Sequence, residues 1–283
     1  MNNVKTTIRI AVLLILAMAC TFEVQAQRRR VKYLQNYDNA PYHFGFLLGA
    51  NFMDYNLMLK DGYQNMVFPA DSLPISPLYQ KDGVDWGITL NDVDNKTYQV
   101  INIERDTLGR PEIMKSFPRI GFSIGVSGVL RLYEKLNLRF TPTFSLCSMI
   151  DYRYTLQINS ANGVEYKHPG SHNRLLCCLE FPLHLKYRSK RNNNLAAYII
   201  AGANPKIYFS TKQAFDYLKN NKMDLALEFG SGFDFYNPWF KMGIEAKWSF
   251  GLLNAMNKNQ VFYMAQPLNG FKNKQFQISL TFE

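Results

Sequence analysis

The chain has 283 residues and a formal net charge of +10. Apolar residues make up 47 % of it, yet its mean hydropathy is only −0.21, which allows a sizeable folded domain and excludes a bundle of spanning helices, each of which would need roughly 20 consecutive apolar residues. The basic excess is scattered except for Arg28-Arg29-Arg30-Lys32, and no basic–aromatic module accompanies it, so nucleic acid is not an expected partner; a solvated tail or anionic lipid headgroups suit the cluster better.

The N-terminus reads as an export signal. Lys5 and Arg9 precede an apolar run at 11–19, and Val24-Gln25-Ala26 supplies a small-residue cleavage site. Residues 1–26 are therefore expected to be a signal peptide, with 27–41 a periplasmic segment. A lipoprotein signal at Cys20 is the alternative; Ala17-Met18-Ala19 before it lacks the usual leucine three places upstream.

Eight strands follow in chain order, at 42–54, 118–132, 136–150, 174–188, 195–209, 223–235, 239–250 and 274–282. The third is the clearest. Leu136, Leu138, Phe140, Pro142, Phe144 and Leu146 alternate with Asn137, Arg139, Thr141, Thr143 and Ser145. Successive side chains of a strand point to opposite faces, so this segment has one apolar and one polar face. The fourth strand sets Phe181, Leu183, Leu185 and Tyr187 against Glu180, His184, Lys186 and Arg188. The fifth alternates least clearly and contains Pro205. Charge on the second face suits a wall between lipid and a polar lumen, and a wall in lipid has to close on itself because open backbone groups find no partner there.

The connections alternate in length. Strands two and three join through Tyr133-Glu134-Lys135, four and five through 189–194, and six and seven through Tyr236-Asn237-Pro238, all tight polar turns. The other connections are long, above all 55–117, which holds Pro69, Pro74, Pro77 and a candidate short strand at 97–104. Residues 151–167 suggest a hairpin turning near Asn162-Gly163. Short periplasmic turns and long extracellular loops characterise outer-membrane barrels. Tyr133, Tyr187, Tyr236, Trp239, Trp248 and Phe250 near strand ends suit interfacial girdles. The fold expected is all-β: an eight-stranded antiparallel up-and-down transmembrane β-barrel over 42–283, in the bacterial outer membrane with lipid around it and both termini periplasmic.

The inward faces would gather Arg131, Arg139, Lys186, Arg188, Lys241 and Lys247 with Glu180, Asp224, Glu228, Asp234 and Glu245. Eight strands leave only enough room for side chains, and an unpaired buried charge is costly. A salt-bridged, plugged interior is the expectation, ahead of an ion path. Enzyme chemistry finds little support. Gly121-Phe122-Ser123-Ile124-Gly125 matches G-x-S-x-G by letter, but that motif needs a strand-to-helix elbow, and here it lies mid-strand. His168 and His172, or Asp151 beside His168, form weak loop pairs. Asp71-Ser72-Leu73 and Asp106-Thr107-Leu108 match a short O-glycosylation sequon. Cys147, Cys177 and Cys178 show neither a disulfide framework nor zinc spacing and read as small apolar fillers. No catalytic, cofactor-binding or metal-ligating residue is expected.

The stretch 34–55 carries Tyr37, Asp38, His43, Phe44, Gly45, Phe46, Leu48, Gly49 and Asn51. It resembles the opening of the PorT family, outer-membrane barrels of Bacteroidota linked to type IX secretion and related to gliding-motility proteins. The resemblance continues through Phe117-Pro118-Arg119 and Phe181-Pro182-Leu183 and covers most of the mature chain. It implies an accessory role in export of proteins to the cell surface, with secretion-system or surface-maturation proteins as partners and no catalytic residues. An OmpA-like structural or surface-interaction barrel is the alternative.

Overall fold

A computed structural model describes residues 31–69, 97–105, 120–148, 152–160, 163–167, 175–210, 221–256 and 267–283. The expected signal peptide, Cys20, both sequons, Phe117–Arg119, Asp151, His168 and His172 lie outside the described residues.

The wall is antiparallel throughout. It comprises β1 (Tyr42–Leu59), β4 (Ile120–Arg131), β5 (Leu136–Phe140), β6 (Thr143–Ser148), β9 (Leu175–Glu180), β10 (Leu183–Arg188), β11 (Leu195–Ser210), β12 (Met223–Tyr236), β13 (Lys241–Gly251) and β14 (Leu268–Phe282). β1 pairs with β4 on one side and β14 on the other, which closes the ring.

Two of the expected strands are each interrupted: the third becomes β5 and β6 around Thr141-Pro142, the fourth β9 and β10 around Phe181-Pro182. Proline has no N–H to give to the ladder. The ring nevertheless stays continuous, because proline carbonyls accept bonds from successive strands. Val126 N–H donates to Pro142 O at 3.1 Å, Thr141 N–H to Pro182 O at 3.1 Å, and Phe181 N–H to Pro205 O at 2.9 Å. With each interrupted pair taken as one wall strand, the ring has eight.

The two faces differ as a lipid-spanning wall requires. Phe140 is 44 % exposed, Ile244 41 % and Leu280 40 %, so these residues ring the exterior and do not form a central core. Their neighbours Arg139, Glu245 and Ser279 are buried inside. The strands also run further than the alternation of apolar residues indicates: β1 reaches Leu59 and β14 begins at Leu268. Along this stretch Asp54 pairs with Lys274 and Asn56 with Lys272 across the seam, while Tyr55 and Phe271 turn inward. The pattern inverts there, so a search for outward apolar residues loses it.

The long-loop segments make a second sheet, in the order β2 (Val67–Pro69), β3 (Thr97–Arg105), β7 (Tyr152–Ser160) and β8 (Gly163–Lys167). The hairpin expected near 162 is present, with Ser160 opposite Gly163. Its pairing with β3 joins segments far apart in sequence, a link that local periodicity does not encode. Tyr63 Oη donates to Ile101 O at 3.3 Å, which ties the residues after β1 to this sheet.

Candidate functional site

The barrel interior and the segment that covers its short-turn end form one continuous polar site. The odd-numbered positions of β13 and even-numbered positions of β10 and β12 face inward, and they carry the charges. Arg139 on β5 spans the lumen to Glu245 on β13 at 2.7 Å, and Tyr198 Oη donates to the same carboxylate at 3.0 Å. Lys186 meets Asp234 at 2.8 Å. Glu228 gathers Lys247 at 2.9 Å, His184 Nε2 at 2.8 Å and Asn204 Nδ2 at 2.7 Å. Glu180 accepts from Asn204 Nδ2 at 2.8 Å and lies 3.6 Å from Lys206. Asn273 Nδ2 donates to Asp224 Oδ2 at 2.7 Å. The opposite wall is small and uncharged: Asn51 Nδ2 donates to Ser123 Oγ at 2.7 Å, and Ser123 and Ser145 hydroxyls are 2.8 Å apart. Long ionic side chains from one side thus fill the volume that Gly and Ser leave on the other.

Among the described residues, aromatic and ionic contacts flank this network at its two ends. At the long-loop end Tyr55 and Phe271 rings meet edge to face at 4.9 Å, both buried. At the short-turn end the strap at residues 33–41 lies across the mouth. Asp38 accepts from Arg188 and from Tyr236 Oη, the latter at 2.8 Å. Tyr37 stacks on His43 with centroids 4.0 Å apart. Arg191 donates to the carbonyls of Tyr33 and Leu34 and sits over the Tyr236 ring at 3.8 Å. Glu283 pairs with Lys241. Burial alone would raise the Glu283 carboxyl, but the Lys241 ammonium, with Lys186 and Arg139 further off, pulls it down to about 2. Burial, and next the charge of Glu283, push the Tyr37 hydroxyl up.

The expected lumen residues divide between these two places. Arg139, Glu180, Lys186, Glu228, Glu245 and Lys247 meet in the buried network. Lys241 lies at its edge, 3.9 Å from Asp234. Arg188 and Arg131 serve the strap instead, Arg131 through Nη1 to Asn39 O at 3.1 Å. Of the 43–51 motif, His43 supports Tyr37, Phe44 and Phe46 face outward, and Asn51 begins the hydroxyl chain. Gly45 lies where a Cβ would run into the carbonyl of Phe282 on the closing strand, and at Gly49 a Cβ would come within 2.8 Å of Gln277 Nε2. Ser123 is fully buried mid-strand, hydrogen-bonded to Asn51 and Ser145, not at an elbow. Reading the sequence alone misses Lys206, Asn204, Tyr198 and Glu283. The first three sit on β11, where Ala, Ile and Gly occupy both faces and blur the alternation.

A family model described as "Outer membrane protein beta-barrel domain" matches residues 25–257. No curated protein matches the chain. Two solved structures resemble it at low identity. Neisserial surface protein A (NspA) is 9 % identical over 86 % of this chain and 98 % of its own, with a TM-score of 0.38. OprG from Pseudomonas aeruginosa is 10 % identical over 84 % of this chain and 95 % of its own, with a TM-score of 0.32. On the extent of the family match, together with a closed ring whose apolar residues face outward, this chain belongs to the outer membrane protein beta-barrel domain family.

Proposed function

We propose that this barrel is a non-enzymatic accessory component of a type IX protein-secretion machine and acts through its surfaces rather than its interior. The observation that carries this reading is the filled lumen, in which buried ion pairs cross the interior and leave no room for a polypeptide cargo. What remains for partners is the four-stranded sheet of the long loops, the strap end, and the lipid-facing wall. Support for secretion as the setting comes from the resemblance of 34–55 to the PorT opening. On this reading the strap and short turns face the periplasm and the second sheet faces outward.

The test is deletion of the gene followed by measurement of secreted proteins at the cell surface, with in-cell crosslinking to identify neighbours. Loss of surface delivery and crosslinks to translocon or surface-maturation proteins are expected. Normal delivery with no such crosslinks would leave the OmpA-like structural barrel as the correct reading.

A further inference from the structure

Cys147 on β6 and Cys178 on β9 are both 0 % exposed, and Glu180 beside them is 1 % exposed. The two sulfurs are 3.9 Å apart, and the Cys178 thiol points at Glu180 Oε1 at 3.5 Å. One ligand atom from each of the three residues falls within a span of 4.8 Å. Glu180 Oε2 is held by Asn204 and Lys206, while Oε1, which also accepts from Gln275 Nε2 at 3.3 Å, is the oxygen that Cys178 Sγ contacts.

Register decides what such a group can do. Cys147 pairs with Leu176 and Ser145 with Cys178, so the cysteines are diagonal neighbours. Diagonal residues of an antiparallel pair have Cα atoms about 7–8 Å apart, beyond the span of roughly 4.4–6.8 Å that a disulfide usually bridges. A metal ion has no such difficulty. Two sulfurs bound at about 2.3 Å in tetrahedral geometry lie roughly 3.8 Å apart, close to the separation found. Two thiolates and a carboxylate suit zinc better than magnesium or calcium.

We propose that Cys147, Cys178 and Glu180 bind one zinc-class divalent cation inside the barrel. Binding displaces one proton from each thiol to solvent, two protons for a doubly charged ion. The net charge of the cluster is therefore unchanged, and Lys206 continues to offset Glu180. The ion joins β6 to β9 within their paired ladder, a few residues from the Pro142 and Pro182 interruptions. Because the site is sealed, the metal enters as the barrel forms.

The experiment refolds the full mature chain into detergent micelles with Zn2+ or Co2+ and removes excess ion. Native mass spectrometry is expected to find one zinc per wild-type barrel. The cobalt form is expected to show intense visible bands of a tetrahedral ion with a near-ultraviolet thiolate band, a readout that needs no variant. Cys177→Ser, whose sulfur lies on the outer side, should keep both signals; the double variant Cys147→Ser with Cys178→Ser should lose them while still folding by heat-modifiable gel migration. Metal-free wild type, equal zinc in the double variant, a cobalt spectrum without the thiolate band, or a mass two hydrogens lighter from an internal disulfide would each overturn the proposal.

Discussion

Arg139 shows what a single inward residue does in this wall. Its guanidinium leaves one strand and ends on Glu245 across the lumen, with both side chains at or below 1 % exposure. Removing one partner of such a pair leaves a buried charge, which costs about 3–5 kcal/mol, whereas replacing both by apolar residues of similar size is close to neutral. Arg139→Ala should therefore lower the urea stability of the folded barrel in lipid vesicles by about that amount, and the double variant Arg139→Met with Glu245→Leu should recover most of it. Glu283 makes a pH-dependent contribution. Its carboxyl lies at about 2, against an ordinary 4.5. A folded-state value below the unfolded one means that the stabilisation is complete above about pH 4.5 and disappears as the pH falls towards 2. The stability difference between wild type and Glu283→Gln, followed by urea unfolding from pH 6 to about pH 2, is predicted to be constant at first and to shrink below pH 4.5. The charges of this site are legible in the sequence because a strand's period of two assigns each residue to a face. Their partners are not, because Lys186 and Asp234, or Arg139 and Glu245, lie on strands whose juxtaposition depends on ring closure. The same limit hides the contact between Cys147 and Cys178, which no sequence spacing announces.

Among the elements, the strap couples the N-terminal segment to the wall. Asp38 holds Arg188 and Tyr236 together, and Arg191 fixes the backbone of Tyr33 and Leu34. Asp38→Ala removes the carboxylate on which these converge. It is predicted to raise amide hydrogen exchange at 37–40, where the N–H groups of Tyr37, Asn39 and Ala40 donate only to carbonyls three residues back, while leaving β12 and β13 protected. Unchanged exchange at 37–40 would show that the strap is held by other contacts. Strand identity is mostly legible, since apolar residues two apart persist through β4, β12 and β13. Strand boundaries are less so. Pro142 and Pro182 divide two strands without disturbing alternation, and Asp54, Lys272 and Lys274 extend the ladder past the apolar band. In the sequence the second sheet shows only as two separate fragments, because pairing of β3 with β7 is a non-local event. Gly45 packs against the carbonyl of Phe282, where the ring closes. Gly45→Val is predicted to weaken the β1–β14 seam and to reduce the folded fraction in a refolding assay, with Gly128→Ala, where an added Cβ meets nothing closer than 3.8 Å, as a comparison that leaves the seam intact.

At the scale of the whole molecule, one arrangement explains the composition. An exterior of Phe, Ile and Leu faces lipid, while most of the ion pairs among the described residues are inside, so an average hydropathy below zero coexists with a membrane-spanning wall. A filled interior also fits a role in which neighbours, not cargo, are what the barrel handles. The alternation of outward and inward residues is the claim on which the rest depends, and nitroxide labels placed singly along 276–282 of the folded protein in lipid vesicles test it directly. Labels at 276, 278, 280 and 282 are predicted to collide freely with oxygen dissolved in the bilayer and hardly at all with an aqueous nickel chelate. Labels at 277, 279 and 281 should be immobile and shielded from both. Low oxygen collision at the even-numbered positions, or equal chelate access along the whole strand, would contradict a closed wall with its apolar face in lipid.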